Sequence, residues 1–186
     1  MSATVKRPYA DALTIAQQLL AALEPGCTRS IIAGSLRRRK PEIGDIEIVA
    51  LPKLEPVSDM FGDVVLGQEV NLLDVALAAL APLHYTKNGP KYKQFSFDGM
   101  TVDLFLASSA TWGAVATIRT GSADFTHWLV TERRHGGACP GGMSFREGRI
   151  WFAGAALDTP EERDVFEAVE QPWIEPVERV EGRWRR

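Results

Sequence analysis

The sequence predicts an α+β fold, and three observations carry that prediction. Apolar residues recur at helical spacing near the start, strand-like segments punctuated by turns fill the middle, and helical segments return after Ser108. The first helix is expected over residues 8–24, where Leu13, Ala16, Leu20 and Leu23 form a stripe that Pro25-Gly26 ends. Residues 28–33 read as a strand leading into Gly34-Ser35. A short basic helix is expected from Leu36 to a stop near Pro41, and residues 43–51 form the next strand. Residues 52–70, with two prolines and two glycines, read as a loop.

Residues 71–80 read as a helix with Asn71 as N-cap. Residues 84–86 and 92–97 are strands, and the Asp98-Gly99 turn starts another over residues 100–106. Beyond Ser108, residues 110–119 and 122–134 read as helices broken at Thr120-Gly121, and residues 143–148 and 149–153 as a hairpin. Thr159-Pro160-Glu161-Glu162 has the form of a helix start, with Thr as N-cap, Pro at N1 and Glu at N3, for a helix reaching about Glu170. Residues 172–176 are extended, and Arg183-Trp184-Arg185-Arg186 is expected to be a frayed basic tail. The change of texture near Ser108 divides the chain into residues 1–108 and 109–186.

The chemistry is concentrated in residues 34–49, GSLRRRKPEIGDIEIV. A glycine-serine turn offers backbone N–H groups and a hydroxyl to phosphate oxygens, and the cations from Arg37 to Lys40 add charge-assisted hydrogen bonds. Asp45 and Glu47 are two apart in a β-branched segment, so an extended strand directs both to one face. Carboxylates that close repel unless a cation lies between them. Asp103 interrupts an apolar strand between Val102 and Leu104, where a charge is costly without a partner. The run therefore reads as a nucleotide-phosphate and metal site.

These residues resemble the nucleotidyltransferase signature of the DNA polymerase beta-like superfamily (family X): Gly-Ser, a short basic helix, then Gly-Asp-x-Asp/Glu on a strand. Arg119-Thr120-Gly121-Ser122 resembles that family's hinge between palm and thumb, and residues 158–176 resemble the closing helix of the thumb with its proline-containing exit. The resemblance spans residues 8–180. It is to the compact palm-plus-thumb versions of viruses and phages, with no counterpart expected of the N-terminal lyase and DNA-gripping domains of larger relatives.

The resemblance implies a nucleotidyltransferase palm at residues 1–108, a mixed β-sheet with helices on one face, and a small α/β thumb at residues 109–186. It implies an enzyme that adds a nucleotide from a dNTP to a DNA 3′-hydroxyl, as in repair or gap filling. Asp45 and Glu47 would bridge two Mg²⁺ ions, for which Mn²⁺ can substitute, and Asp103 would bind the catalytic ion. Gly34, Ser35 and Arg38 would hold the triphosphate, with Gly44 closing the pocket. Gly121 and Ser122 would lie at the nucleotide sugar, and Thr126 and His127 near the nascent base pair. Lys87, Lys91 and Lys93, with Arg133 and Arg134, would grip primer-template or gapped DNA. Two positions depart from the family pattern. Glu47 stands where its polymerases usually carry Asp, and Ile118-Arg119 replaces the aromatic that discriminates against ribose. These departures keep open a transferase acting on RNA, protein or a small molecule, or a template-independent terminal transferase.

Composition bounds the rest. The 186 residues carry a net charge of −3 and are 45% hydrophobic, enough for a real core but not for permanent residence on nucleic acid by bulk charge. Cys27 and Cys139 form neither metal-ligand spacing nor a disulfide framework. No secretory signal or membrane span is expected, because Lys6, Arg7 and Asp11 and then Gln17-Gln18 interrupt the N-terminal apolar residues. The expectation is a cytoplasmic monomer, in the host cytoplasm if phage-encoded.

Overall fold

The structure, a computed structural model, describes residues 6–61, 63–80 and 82–184. In chain order its elements are β1 (Arg7–Pro8), α1 (Tyr9–Leu23), β2 (Cys27–Ile32), α2 (Gly34–Arg37), β3 (Glu42–Ile43), β4 (Asp45–Pro52), β5 (Leu54–Ser58), β6 (Val64–Asn71), α3 (Leu72–Ala79), β7 (His84–Asn88), β8 (Tyr92–Phe97) and β9 (Met100–Leu106). The second half adds α4 (Trp112–Thr120), α5 (Ala123–Val130), β10 (Met143–Arg146), β11 (Arg149–Phe152), β12 (Ala155–Leu157) and α6 (Glu162–Ala168). The α+β class holds.

The principal sheet has the order β2-β4-β9-β8-β7, with β4 and β9 parallel and the other pairs antiparallel. Alternation along β4 decides its two faces: Ile46, Ile48 and Ala50 point into a fully buried core, while Asp45, Glu47 and Val49 take the opposite face. The core face is covered by α1, through Ala12, Ile15, Leu19 and Leu23, and by α3, through Leu73 and Leu77. Each such buried leucine or isoleucine side chain contributes roughly 1.5–3 kcal/mol. Asn71 caps α3 as its sequence suggests, accepting from Leu73 N–H at 3.0 Å.

Helices do not keep to one face. Trp112 and Ala116 of α4 pack with Val49 on the carboxylate side of the sheet, because Val49 and Ala33 leave an apolar patch there. The sheet therefore has a helical layer on one side and, on the other, α4 beside an open polar strip. A second core forms where α4, α5 and α6 meet the antiparallel sheet β10-β11-β12, around Phe125, Leu129, Ile150, Val165 and Phe166.

Four further sequence expectations are corrected. Residues 52–70 are not a loop: β5 and β6 pair as a two-stranded antiparallel ribbon, with Pro56 opposite Glu69. The helix expected from Thr159 begins at Glu162. Glu161 is its N-cap in a capping box with Asp164, and the Thr159 hydroxyl accepts from Ala114 N–H at 3.2 Å instead. The basic helix runs over Gly34–Arg37, so Arg38, Arg39 and Lys40 lie past its last turn. Trp184 is not frayed; it is buried edge-on against Phe125 at 5.3 Å. Arg185 and Arg186 of that expected tail lie outside the described residues.

Candidate active site

β4 and β9 place the three carboxylates. Their parallel register sets Glu47 beside Asp103 and Asp45 beside Thr101, so Asp45, Glu47 and Asp103 occupy the same face of two adjacent strands. Gly44 is the bend that separates β3 from β4 and starts the strand at Asp45.

The electrostatics follow from that crowding. Burial, and then the charges of Asp45 and Asp103, push Glu47 up to about 7 against the relief given by Arg38 and Arg119. Asp45 is also raised, by burial and then by Asp103, with Arg38 opposing. Asp103 is held from β8, whose Gln94 is its antiparallel partner. Gln94 Nε2 donates to Asp103 Oδ1 at 2.8 Å, and the Tyr92 hydroxyl donates to the same oxygen. Burial and then this bond push the Tyr92 phenol up to about 12. Tyr92 is itself stacked on Phe105, 5.0 Å between centroids, and the Arg119 guanidinium lies 3.9 Å over the other ring of that pair, Phe105.

The Gly34-Ser35 turn lies against this cluster. Gly34 has φ +59°, and a Cβ there would collide with the Glu47 carboxylate, so both conformation and space require glycine. Ser35 Oγ is buried and, among the described residues, has no hydrogen-bond partner; Arg38 Nε is in the same position. Burial lowers the Arg38 pKa against the pull of Glu47 and Asp45. Its Nη1 donates to the carbonyls of Thr120 at 2.6 Å and Gly121 at 3.0 Å, tying the turn to the α4–α5 junction. Arg37 makes the same connection through Thr120 Oγ1 at 2.7 Å and Glu162 at 2.5 Å. Glu162 also receives the fully buried Arg179 at 2.6 Å. Burial works against its charge, but Arg179 and then Arg37 hold it below the usual carboxylate range.

Among the described residues, no three His, Cys, Asp or Glu side chains are gathered as a ready-made metal-binding group. Asp103 commits one oxygen to Tyr92 and Gln94, and the mutual repulsion of the cluster is offset in part by Arg38 and Arg119. The donor set nevertheless fits a hard divalent cation: it is all carboxylate oxygen, with two of its members pushed toward the neutral form by burial and like charge. The orphaned hydroxyl of Ser35 fits a phosphate oxygen.

A cleft of about 580 Å³ opens over Glu47 and Asp103, with Lys87, Lys91, Tyr92 and Arg119 on its walls. Lys87 and Lys91 are exposed there, Lys87 Nζ lying 5.3 Å over the Tyr92 ring. Other sequence-assigned positions are placed differently. Lys93 is turned to the core face of β8, 7% exposed, and its ammonium is spent on Asn88 at 2.6 Å and Asp74 at 3.0 Å, so it does not face the cleft. Arg133 staples its loop to α6 through Ala138 O, Val169 O and Glu170. Arg134 is paired with Glu132 at 2.6 Å. Ser122 Oγ caps α5 by accepting from Phe125 N–H at 3.2 Å, and Thr126 Oγ1 donates to Ile118 O at 3.1 Å. Gly121 is packed too tightly against Phe125 and Thr126 for a Cβ, while His127 is exposed on α5.

Sequence reasoning missed Tyr92, Gln94 and Glu162, and read Arg119 only as a replaced aromatic, not as a cation beside Glu47. The first two had a signal: counting outward from the Asp98-Gly99 turn places Gln94 opposite Asp103 and Tyr92 opposite Phe105. In comparisons with known proteins, no family model and no curated protein matches the chain.

Proposed function

We propose that this protein is a Mg²⁺-dependent nucleotidyltransferase of palm-and-thumb type that adds a nucleotide from a dNTP to a DNA 3′-hydroxyl. One observation carries the reading: Asp45, Glu47 and Asp103 share one face of two parallel strands, directly against a glycine-serine pair whose hydroxyl has no partner among the described residues. Asp45 and Glu47 would hold the ions that accompany the triphosphate, and Asp103 the ion at the primer end. Bound there, Mg²⁺ would supply Lewis-acid stabilisation of the phosphoryl oxygens and lower the pKa of the attacking hydroxyl.

The chain's own groups do the positioning. Tyr92 and Gln94 fix one oxygen of Asp103 and leave the other for the reaction. Ser35 Oγ donates to a phosphate oxygen, satisfying its buried hydroxyl. Arg38 keeps positive charge beside Asp45 and Glu47 while joining the turn to the α4–α5 hinge. The 3′-hydroxyl loses its proton to solvent and its oxygen attacks the α-phosphorus in line, the bond from that phosphorus to the bridging oxygen breaks, and pyrophosphate leaves. Lys87 and Lys91 on the cleft wall are the cations available to the DNA strand.

A second reading rests on Arg119, which covers Phe105 where an aromatic would select against ribose. A transferase with an RNA or other acceptor, using rNTPs, fits that substitution. Primer extension with DNA, RNA and no template, each with dNTPs and rNTPs, separates the two. In the same assay Asp103→Ala should lower the rate by ~10³ or more while dNTP binding persists. A variant keeping a tenth of wild-type activity would remove Asp103 from the chemistry.

A further inference from the structure

A second concavity, of about 480 Å³, lies between the exit of α2 and the C-terminal turn, away from Glu47 and Asp103. Its charged lining is Arg38, Arg39, Lys40 and Arg183 against a single carboxylate, Glu181. Among the described residues, Arg39, Lys40 and Arg183 have no ion-pair partner. Arg38 is already engaged by the Thr120 and Gly121 carbonyls and the nearby carboxylates, but the other three cations, with so little neutralisation, repel one another unless an anion is shared.

The backbone supplies an independent observation. Arg39 N–H donates to Leu36 O at 2.9 Å and Lys40 N–H to Ser35 O at 3.0 Å, the paired bonds that end a helix through a left-handed residue. That residue is Arg39, with φ +56°. Glycine is the usual occupant because a Cβ is penalised there. The chain thus keeps a long cation at a position where its backbone is strained and where, among the described residues, its side chain makes no hydrogen bond or ion pair.

We infer that this groove binds the phosphodiester backbone of a nucleic-acid strand, with Arg39, Lys40 and Arg183 as its phosphate contacts. The inference rests on the nucleic-acid reading proposed above. Arg38 is common to both places: it lines the groove and holds the Thr120 and Gly121 carbonyls beside the candidate active site. A strand lying in the groove is therefore continuous with the carboxylate cluster through one side chain. The apolar floor of Pro41, Val177 and Val180 suits the sugar edge of such a strand rather than a free, fully solvated ion.

The test uses Arg39→Gly, because glycine relieves the backbone while removing the cation. Anisotropy titrations of a labelled DNA strand, single and duplexed, in EDTA and at several salt concentrations, would be paired with thermal melting. Arg39→Gly should melt at or above the wild-type temperature, by up to about 2–4 °C, yet bind DNA roughly 3- to 10-fold more weakly. Its slope of log K against log salt should flatten by ~0.7–0.9. Arg183→Ala, which removes an exposed side chain, should show the same loss with unchanged melting, and both should bind dNTP as wild type does.

Wild-type DNA affinity and slope in both variants would overturn the groove alone. So would weakened dNTP binding with intact DNA binding, which would assign the cations to the triphosphate, or a lower melting temperature for Arg39→Gly with Arg183→Ala unaffected. A wild-type protein that binds no nucleic acid at all would overturn the functional reading as well.

Discussion

Tyr92 donates its phenolic hydroxyl to Asp103 Oδ1 from the neighbouring antiparallel strand, while its ring stays stacked on Phe105. The hydroxyl and the ring therefore have separable duties. Tyr92→Phe should leave the melting temperature within about 2 °C, since the stack survives, but lower kcat roughly 10-fold or more with KM for dNTP unchanged. Single-turnover kinetics beside a melting curve check it. Equal losses in stability and rate would mean the bond serves the fold instead.

Glu47 titrates near 7 in the folded chain against 4.5 for a free side chain, chiefly through burial and then through Asp45. Between those values the folded state binds more protons than the unfolded state, so stability must fall as pH rises from 4.5 through 7 and level off above. The loss is at most ~3 kcal/mol. Chelator-treated protein should show this decline in a pH series of melts, and Glu47→Gln should flatten it. An identical decline in the variant would assign it to another group.

Glu162 receives both Arg37 and Arg179 in the interior. Glu162→Ala leaves the buried Arg179 guanidinium without its carboxylate and takes one partner from the half-buried Arg37, and removing one partner of a buried pair costs about 3–5 kcal/mol. The melting temperature should drop by roughly 6–20 °C. Its depressed pKa gives the opposite sign from Glu47: the stabilisation is present above 4.5 and is lost as pH falls through the lower folded value. Acid melts of wild type and variant should therefore converge.

Lys87 and Lys91 are the exposed lysines of the cleft. Their joint replacement by Ala should flatten the salt slope of DNA binding by up to ~2 units if each touches one phosphate. Nucleotide affinity without DNA should not change. An unaltered slope would leave the strand path to the groove at Arg39 and Arg183.

What could be seen in the sequence was local. The alternation of Asp45, Ile46, Glu47 and Ile48 and the Asp98-Gly99 turn are short-range patterns: the first put both carboxylates on one strand face, and the second marked the hairpin of β8 and β9. The ribbon of β5 and β6 was hidden because it stands off the principal sheet. With no third strand to bury it, its side chains stay exposed and show no apolar alternation, while Pro56 and Gly67 read as breakers. The helix start at Glu161 was hidden because Thr159 is drawn away by Ala114, 45 residues distant. Lys93 looked like its neighbours in a basic hairpin, and only the pleat of β8, with Phe95 on the same side, shows that it points inward. The Arg37–Glu162 pair joins positions 125 residues apart and left no mark on either segment.

The parallel pairing of β4 with β9 has a kinetic consequence. Parallel neighbours cannot be joined by a tight turn, and here the ribbon, α3 and the β7–β8 hairpin all intervene before Asp103 can come beside Glu47. Closing so long a loop is slow relative to forming the local hairpins. Asp103 should thus join its two companions late in folding, after the local hairpins have formed. A stalled intermediate could carry an intact residue 34–49 segment and still have no centre for chemistry. Recovery of the proposed nucleotidyl transfer after dilution from denaturant should accordingly lag the return of secondary structure, which would make that reaction a clock for the last stage of assembly.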